Sequence, residues 1–238
     1  MKLEIGYNHS FEVRKEQYHF INGENFSILY LSDFHFNRFS EKITNKIIDT
    51  INELNPSIVL LGGDYVDSRK GLIHLESLLN ALSKRDFVFA VAGNHDYYFG
   101  IKELEKIFDA YHIKWIEKKS FRFTLKNCSI KIDGNILETS DPKSDFSILC
   151  LHKPIAGKDF QNHYDLAFAG HLHGCQFVLW KSGEKLYPGK LFYKWNILKA
   201  KLNNCGYLIS KGLGDTLPIR YNCKKDLIFV EVTATSNL

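Results

Sequence analysis

Five short segments hold the residues with chemical reach: Asp33-Phe34-His35, Gly62-Gly63-Asp64, Gly93-Asn94-His95-Asp96, His152, and Gly170-His171-Leu172-His173-Gly174. Together they offer carboxylate and amide oxygens and imidazole nitrogens, with no thiolate among them. Such a hard-to-borderline donor set suits Mn, Fe or Zn, whereas Mg and Ca prefer shells made of oxygen. One ion has too few positions for so many donors. Two ions about 3.5–4 Å apart, sharing a bridging carboxylate and a hydroxide, accommodate the set. Such a pair binds two oxygens of a phosphate ester, delivers the hydroxide in line with the bond to be broken and stabilises the oxygen that leaves.

Each piece also has a bland reading. Asp-x-His triplets are commonly surface or cap residues, and Gly-Gly-Asp after a strand is commonly a turn that caps a helix. Gly-Asn-His-Asp resists that explanation, because Asn and Asp accept turn conformations but the His between them gains nothing from one. His171 and His173 are two apart, so on extended backbone both imidazoles project to the same side. Placement weighs most against coincidence: every segment directly follows a short apolar run.

Those runs are the elements that must position the chemistry. Residues 28–31, 58–61, 87–92, 147–151 and 166–169 are apolar runs of strand length. Three helical patterns fall in the first half. Ile43, Ile47, Ile48, Ile51 and Leu54 share a face between Ser40 as N-cap and Asn55-Pro56. Leu72, Leu75, Leu78, Leu79 and Leu82 mark the next helix, and Ile101, Leu104, Ile107, Phe108 and Tyr111 the third. Further strands at 121–125, 128–132, 207–210 and 227–232 follow with little helix between them. A βαβαβα first half and a strand-rich second half imply two sheets packed face to face with helices outside. In an α/β sheet, loops at the carboxyl ends of strands converge on one crevice, where residues remote in sequence meet.

The 238 residues suffice for a full core and contain no repeat, low-complexity tract or Pro/Gly/Ser linker, so one domain over 1–238 is expected. A net charge of +4 is compatible with anionic substrates but does not by itself call for nucleic acid. The 5 cysteines are odd in number and lack C-x-x-C spacing, which reads as free thiols in a reducing compartment. Charged residues interrupt positions 1–20, and no apolar run of about 20 residues occurs. The expectation is a cytoplasmic protein, soluble or peripheral to the inner membrane.

Taken in order, Asp33-x-His35, Gly63-Asp64, Gly93-Asn94-His95-Asp96, His152 and Gly170-His171-x-His173 resemble the full signature of the calcineurin-like metallophosphoesterases. The resemblance implies an α/β (α+β) fold, a four-layer sandwich of two packed mixed β-sheets flanked by helices, and a metal-dependent phosphoesterase. It also implies that Asp33, His35 and His173 hold one divalent ion, that Asn94, His152 and His171 hold a second, and that Asp64 bridges them. His95 would be the catalytic residue over the substrate phosphate, not a ligand, and would stabilise or protonate the leaving group. Asp67 and Asp96 would orient ligands from behind. Among the metals that the donor set admits, manganese is the expected one. Two positions depart from the usual Gly-His-Thr-His-Gly-Gly-Gln: Leu172 lacks a hydroxyl, and Cys175 reads as a small buried residue in place of a flexible one.

The ending, with Gly212-Leu213-Gly214, Leu217-Pro218-Ile219-Arg220 and Asn222-Cys223, is similar to a bacterial branch of membrane-associated phosphodiesterases and UDP-diacylglucosamine pyrophosphatases of lipid A synthesis. Between His173 and Leu202, Phe177, Trp180, Tyr187, Phe192, Tyr193 and Trp195 interleave with Lys181, Lys185, Lys190, Lys194, Lys199 and Lys201, and Glu184 is the lone acid. Residues 177–202 would suit contact with an anionic membrane, or a groove for a lipid-linked UDP-sugar. An ordinary hairpin with aromatics packed inward fits the same pattern, and rings with lysines can also stack nucleic-acid bases. Three functions therefore stand: a lipid-nucleotide pyrophosphatase at a membrane, a soluble phosphodiesterase acting on nucleotides or nucleic acid, and a non-catalytic scaffold. The complete ligand set argues against the third.

Overall fold

Alternation inside the apolar runs sets the architecture. The structure, a computed structural model, describes residues 2–6, 10–21, 24–137, 144–156, 158, 160 and 163–235. Its first part comprises β1 (Leu3–Ile5), β2 (Phe11–Ile21), β3 (Phe26–Leu31), α1 (Glu41–Leu54), β4 (Ile58–Leu61), α2 (Leu72–Leu82), β5 (Val88–Ala90), α3 (Asn94–Phe99), α4 (Ile101–Ala110) and β6 (Lys114–Trp115). Next come β7 (Lys119–Leu125), β8 (Cys128–Gly134), β9 (Phe146–Cys150), β10 (Leu166–Ala169), β11 (Val178–Ser182) and β12 (Lys185–Pro188). The chain closes with α5 (Gly189–Phe192), β13 (Lys199–Leu202), β14 (Cys205–Ile209), β15 (Ile219–Tyr221) and β16 (Lys225–Thr235).

One six-stranded sheet has the order β2-β16-β3-β4-β5-β6 and the other β13-β14-β10-β9-β8-β7. Both are mixed. In the first, β3 to β6 are parallel and β16 runs antiparallel to β3. In the second, β8, β9, β10 and β14 are parallel, with β7 and β13 antiparallel at the edges. This is the expected class.

Ile28, Tyr30, Ile58, Leu60 and Phe89 of the first sheet pack on Ile130, Ile132, Ile148 and Phe168 of the second. The alternate residues Leu29, Leu31, Val59, Leu61 and Val88 face the other way, against Ile47 and Ile51 of α1, Leu75 and Leu78 of α2, and Phe108 of α4. Phe160, Tyr164 and Trp195 cover the outer face of the second sheet over Leu149, Ala167 and Tyr207. Each fully buried Leu or Ile contributes about 1.5–3 kcal/mol. A one-residue slip would turn every such side chain to the wrong face and lose both cores together.

Helix α1 starts at Ser40, whose hydroxyl accepts the Asn37 N–H at 2.9 Å, and stops at Asn55, left-handed at φ 42, before Pro56. The free cysteines Cys128, Cys150, Cys205 and Cys223 are buried. Two elements differ from expectation. The 87–92 strand shortens to β5, and residues 94–99 form helix α3 instead of a loop. Strand β2 carries too many charges to show a strand pattern, yet it lies parallel on β16 because those charges find distant partners. Arg14 meets Asp226 at 3.0 Å and Glu12 meets Lys211 at 2.6 Å. Among the described residues no helix is long and apolar enough to cross a membrane.

Candidate metal centre

All five sequence segments follow strands β3, β4, β5, β9 and β10, and the structure brings them together. The loops after β3 and β4 are laced by backbone bonds, with Asp33 N–H donating to Gly63 O and His35 N–H to Asp64 O, both at 2.9 Å. From the other sheet, the His171 N–H donates to both Asp33 carboxylate oxygens at 2.9 and 3.0 Å. Gly93 and Gly170 are required by close approach: a Cβ on either would collide with the carboxylate of Asp64 or of Asp33. Asp33, His35, Asp64, His171 and His173 all sit at positive φ, between 46 and 70°. Left-handed backbone costs a non-glycine residue of order 1–3 kcal/mol and collects where function over-determines the geometry.

One group consists of Asp33, His35 and His173, all buried, with candidate ligand atoms within 4.8 Å of one another. His35 Nδ1 donates to Asp67 Oδ1 at 2.7 Å, which leaves a lone pair on Nε2. That Nε2 is buried without a hydrogen-bond partner among the described residues, 3.7 Å from Asp64 Oδ2. An orphaned buried nitrogen is costly on its own. A carboxylate behind an imidazole whose far nitrogen is free is the arrangement of a metal-ligating histidine.

The second group joins Asp64, His152 and His171. His152 Nδ1 donates to the Gly62 carbonyl at 2.8 Å, so in the neutral ring Nε2 carries the lone pair. Around this Nε2 lie Asn94 Oδ1 at 3.0 Å, His171 Nδ1 at 3.2 Å and Asp64 Oδ2 at 3.3 Å. Asn94 Oδ1, Asp64 Oδ2 and the neutral His152 Nε2 are electron-pair donors, and they repel one another at these distances unless a proton or a metal cation lies among them. The same geometry grips a proton: burial opposes charge on His152, but the Asp64 carboxylate outweighs it and raises the ring to about 9. Burial pushes Asp64 up, yet the bond to His152 and that ring's charge hold it at about 2. Burial first, then cationic neighbours, lower His171 and His173, which keeps both rings neutral.

Asp64 belongs to both groups, with Oδ2 3.3 Å from His152 Nε2 and 3.7 Å from His35 Nε2. His95 is half-buried at the rim, its N–H donating to Asp64 Oδ1 at 2.8 Å and its ring edge-on to His35 at 4.8 Å. It shares a third, partly exposed group with His35 and Asp67. Asp96 is buried below, accepting N–H bonds from Gly93 at 2.7 Å, Asp64 at 2.8 Å and Tyr65 at 2.9 Å. Burial drives its carboxyl up to about 7 against the pull of those amides. Cys175, half-buried where a buried residue is expected, lies beside Gly189, and burial raises its thiol to about 11, so it offers no thiolate.

Arg220, in the segment 217–220 near the end of the chain, backs the site. Its buried guanidinium pairs with Asp215 at 2.5 Å, donates to Gly214 O at 2.7 Å and lies 3.5 Å from His173 Nδ1. Leu213 N–H ties the same loop to Ser32 O at 3.0 Å. The pair of glycines at 212 and 214 was the one hint, since a single buried arginine leaves no periodicity.

Residues 177–202 begin where the turn bearing His173 ends, and they form the hairpin β11–β12 followed by α5. Leu179, Leu191 and Phe192 are 58%, 68% and 78% exposed. Trp180 stacks flat on Tyr187, with centroids 5.0 Å apart. Trp195 turns inward, edge-on to Tyr207 at 5.1 Å, and packs on the second sheet.

The donor chemistry and the orphaned Nε2 of His35 thus fit divalent metal ions. A family profile described as Calcineurin-like phosphoesterase matches residues 26–185, and the chain belongs to that family; it is a metal-dependent phosphoester hydrolase. Among known proteins it is similar to the uncharacterized metallophosphoesterase YkoQ of Bacillus subtilis, 25% identical over 232 residues, covering 87% of this chain and 83% of the relative. It is also similar to the phosphodiesterase YaeI of Escherichia coli, 25% identical, with 89% and 83% covered. A solved 5'-nucleotidase precursor from Thermus thermophilus shares the fold at a TM-score of 0.50 and 12% identity, over 80% of this chain and 49% of that structure. This chain therefore spans about half the length of that nucleotidase.

Proposed function

We propose that this protein hydrolyses phosphodiester or pyrophosphate bonds with two divalent ions, manganese foremost, and acts on lipid-linked UDP-sugars of the UDP-diacylglucosamine kind at a membrane surface. The observation that carries the two-ion reading is the Asp64 carboxylate, one oxygen of which faces an available imidazole nitrogen on either side. Asp33, His35 and His173 would hold one ion, Asn94, His152 and His171 the other, with Asp64 between them. When bound, the ions supply Lewis acidity to the phosphoryl oxygens and an activated water.

The chain's own residues do the remaining work. Asp67 and the Gly62 carbonyl fix which nitrogen of His35 and His152 faces inward. Asp96 clamps the Asp64 backbone. His95, whose backbone N–H bonds to Asp64, would protonate or stabilise the leaving oxygen. The lipid part of the reading is supported by Leu179 on the hairpin and Leu191 and Phe192 on α5, which are exposed in a lysine-rich stretch that follows His173.

Hydrolysis of bis-p-nitrophenyl phosphate by the manganese-loaded protein tests the reaction. His95→Ala is expected to retain both ions while turnover falls by roughly two orders of magnitude, as for a lost general acid or charge stabiliser. Loss of an ion from that variant, or undiminished turnover, would remove His95 from its role. A wild type inert toward every diester and pyrophosphate offered would overturn the activity.

A further inference from the structure

Asn94 and His152 approach to 3.0 Å, but they arrive from different sheets. Asn94 opens α3 just past β5, and His152 lies just past β9. No backbone ladder pairs β5 with β9; residues 116–118 bridge the sheets through Ile116 N–H to Ala90 O at 2.9 Å and Lys118 N–H to Gly134 O at 2.8 Å, and side chains complete the link to the two donors.

Two half-buried side chains span it. Asn135, just past β8, accepts the His152 N–H on Oδ1 at 2.9 Å. Its Nδ2 donates to Ala92 O at 2.8 Å and to Glu117 Oε2 at 2.7 Å. That same Glu117 oxygen accepts the Ala92 N–H at 2.9 Å, and Oε1 accepts the Tyr97 hydroxyl at 2.7 Å. Tyr97 belongs to α3, the helix that also carries Asn94 and His95. The amide and the carboxylate thus hold the residue two before Asn94, a side chain three after it, and the backbone of His152 in one hydrogen-bonded strut. Asn135 stands at φ 48, a left-handed conformation that Asn accepts more readily than most residues. An aspartate there would lose both donated bonds and set a second negative charge against Glu117.

We propose that Glu117 and Asn135 are positioning residues that set the separation of Asn94 and His152 and so tune the affinity of the second ion's site. Glu117 belongs to no candidate ligand group among the described residues. The two residues act through the backbone of one ligand and the helix of the other. The proposal rests on the two-ion reading of the centre.

Calorimetric titration of the metal-free full chain with manganese separates the two binding steps, and His171→Ala identifies the one that belongs to the second group. Asn135→Gly removes the side chain while leaving positive φ unstrained. It is expected to weaken the His171-dependent step by about 10–100-fold, the usual cost of losing a residue behind a ligand, with the other step nearly unchanged. Glu117→Ala is expected to do the same, and Glu117→Gln, which keeps acceptor oxygen for Ala92 and Asn135, to restore most of the affinity. Should Asn135→Gly lose its cooperative thermal transition, Glu117→Ala decides alone, since it leaves the backbone alone. An unaltered His171-dependent step, equal weakening of both steps, or Glu117→Gln as weak as Glu117→Ala overturns the positioning role. A single step in the wild type overturns the two-ion reading itself, and it shows before any variant is compared.

Discussion

His152 shows how one residue's environment fixes what the site can bind. In the metal-free protein its ring titrates at about 9, above the ordinary 6.5, so it is protonated at neutral pH. An ion needs the lone pair that this proton occupies. Manganese binding at the second group should therefore expel a proton, and its apparent affinity should rise about tenfold per pH unit until pH reaches about 9, then level off. Calorimetry in two buffers of different ionisation enthalpy measures the proton directly; a pH-independent affinity with no proton released would contradict the geometry. By the same linkage, a raised folded-state value stabilises the metal-free fold below 6.5, and this contribution fades as pH climbs through 9. The donors themselves were legible in the sequence because each follows a strand-like run. Glu117, Asn135 and Arg220 were not, because their roles arise from contacts across sheets and loops that no spacing along the chain encodes.

At the scale of elements, strands and helices with strong periodicity were legible almost to the residue, α1 and α2 above all. Helix α3 was not, since six residues without an apolar stripe leave no pattern; Asp96 starts it by returning its carboxylate to the Gly93 N–H. The hairpin after His173 divides in the same way. Its lysines and aromatics could be read as a surface, but only the fold tells that Trp195 packs inward while Leu179, Leu191 and Phe192 face water. Lysines near an anionic surface contribute about 1 kcal/mol each, and apolar side chains add their burial in the interface. Changing Leu179, Leu191 and Phe192 together to Ser should cut binding to phosphatidylglycerol vesicles at least about tenfold in a sedimentation assay, with the thermal midpoint unchanged. Equal partitioning of wild type and variant would remove the membrane from the proposal, and a large fall in the midpoint would assign these side chains to packing.

For the whole molecule, two mixed sheets meet face to face and each contributes part of the centre. Asp33, His35, Asp64 and Asn94 follow strands of the first sheet, while His152, His171 and His173 follow strands of the second. Ions held between them would also tie the sheets together at that end. The packing of the sheets was legible from alternating apolar runs, but the strand order was not, because β2 and β16 pair across most of the chain's length. The manganese content of the reconstituted, gel-filtered protein bears most directly on all of this. Two ions per chain are predicted, shared through Asp64; a content of one or fewer would contradict a two-ion centre.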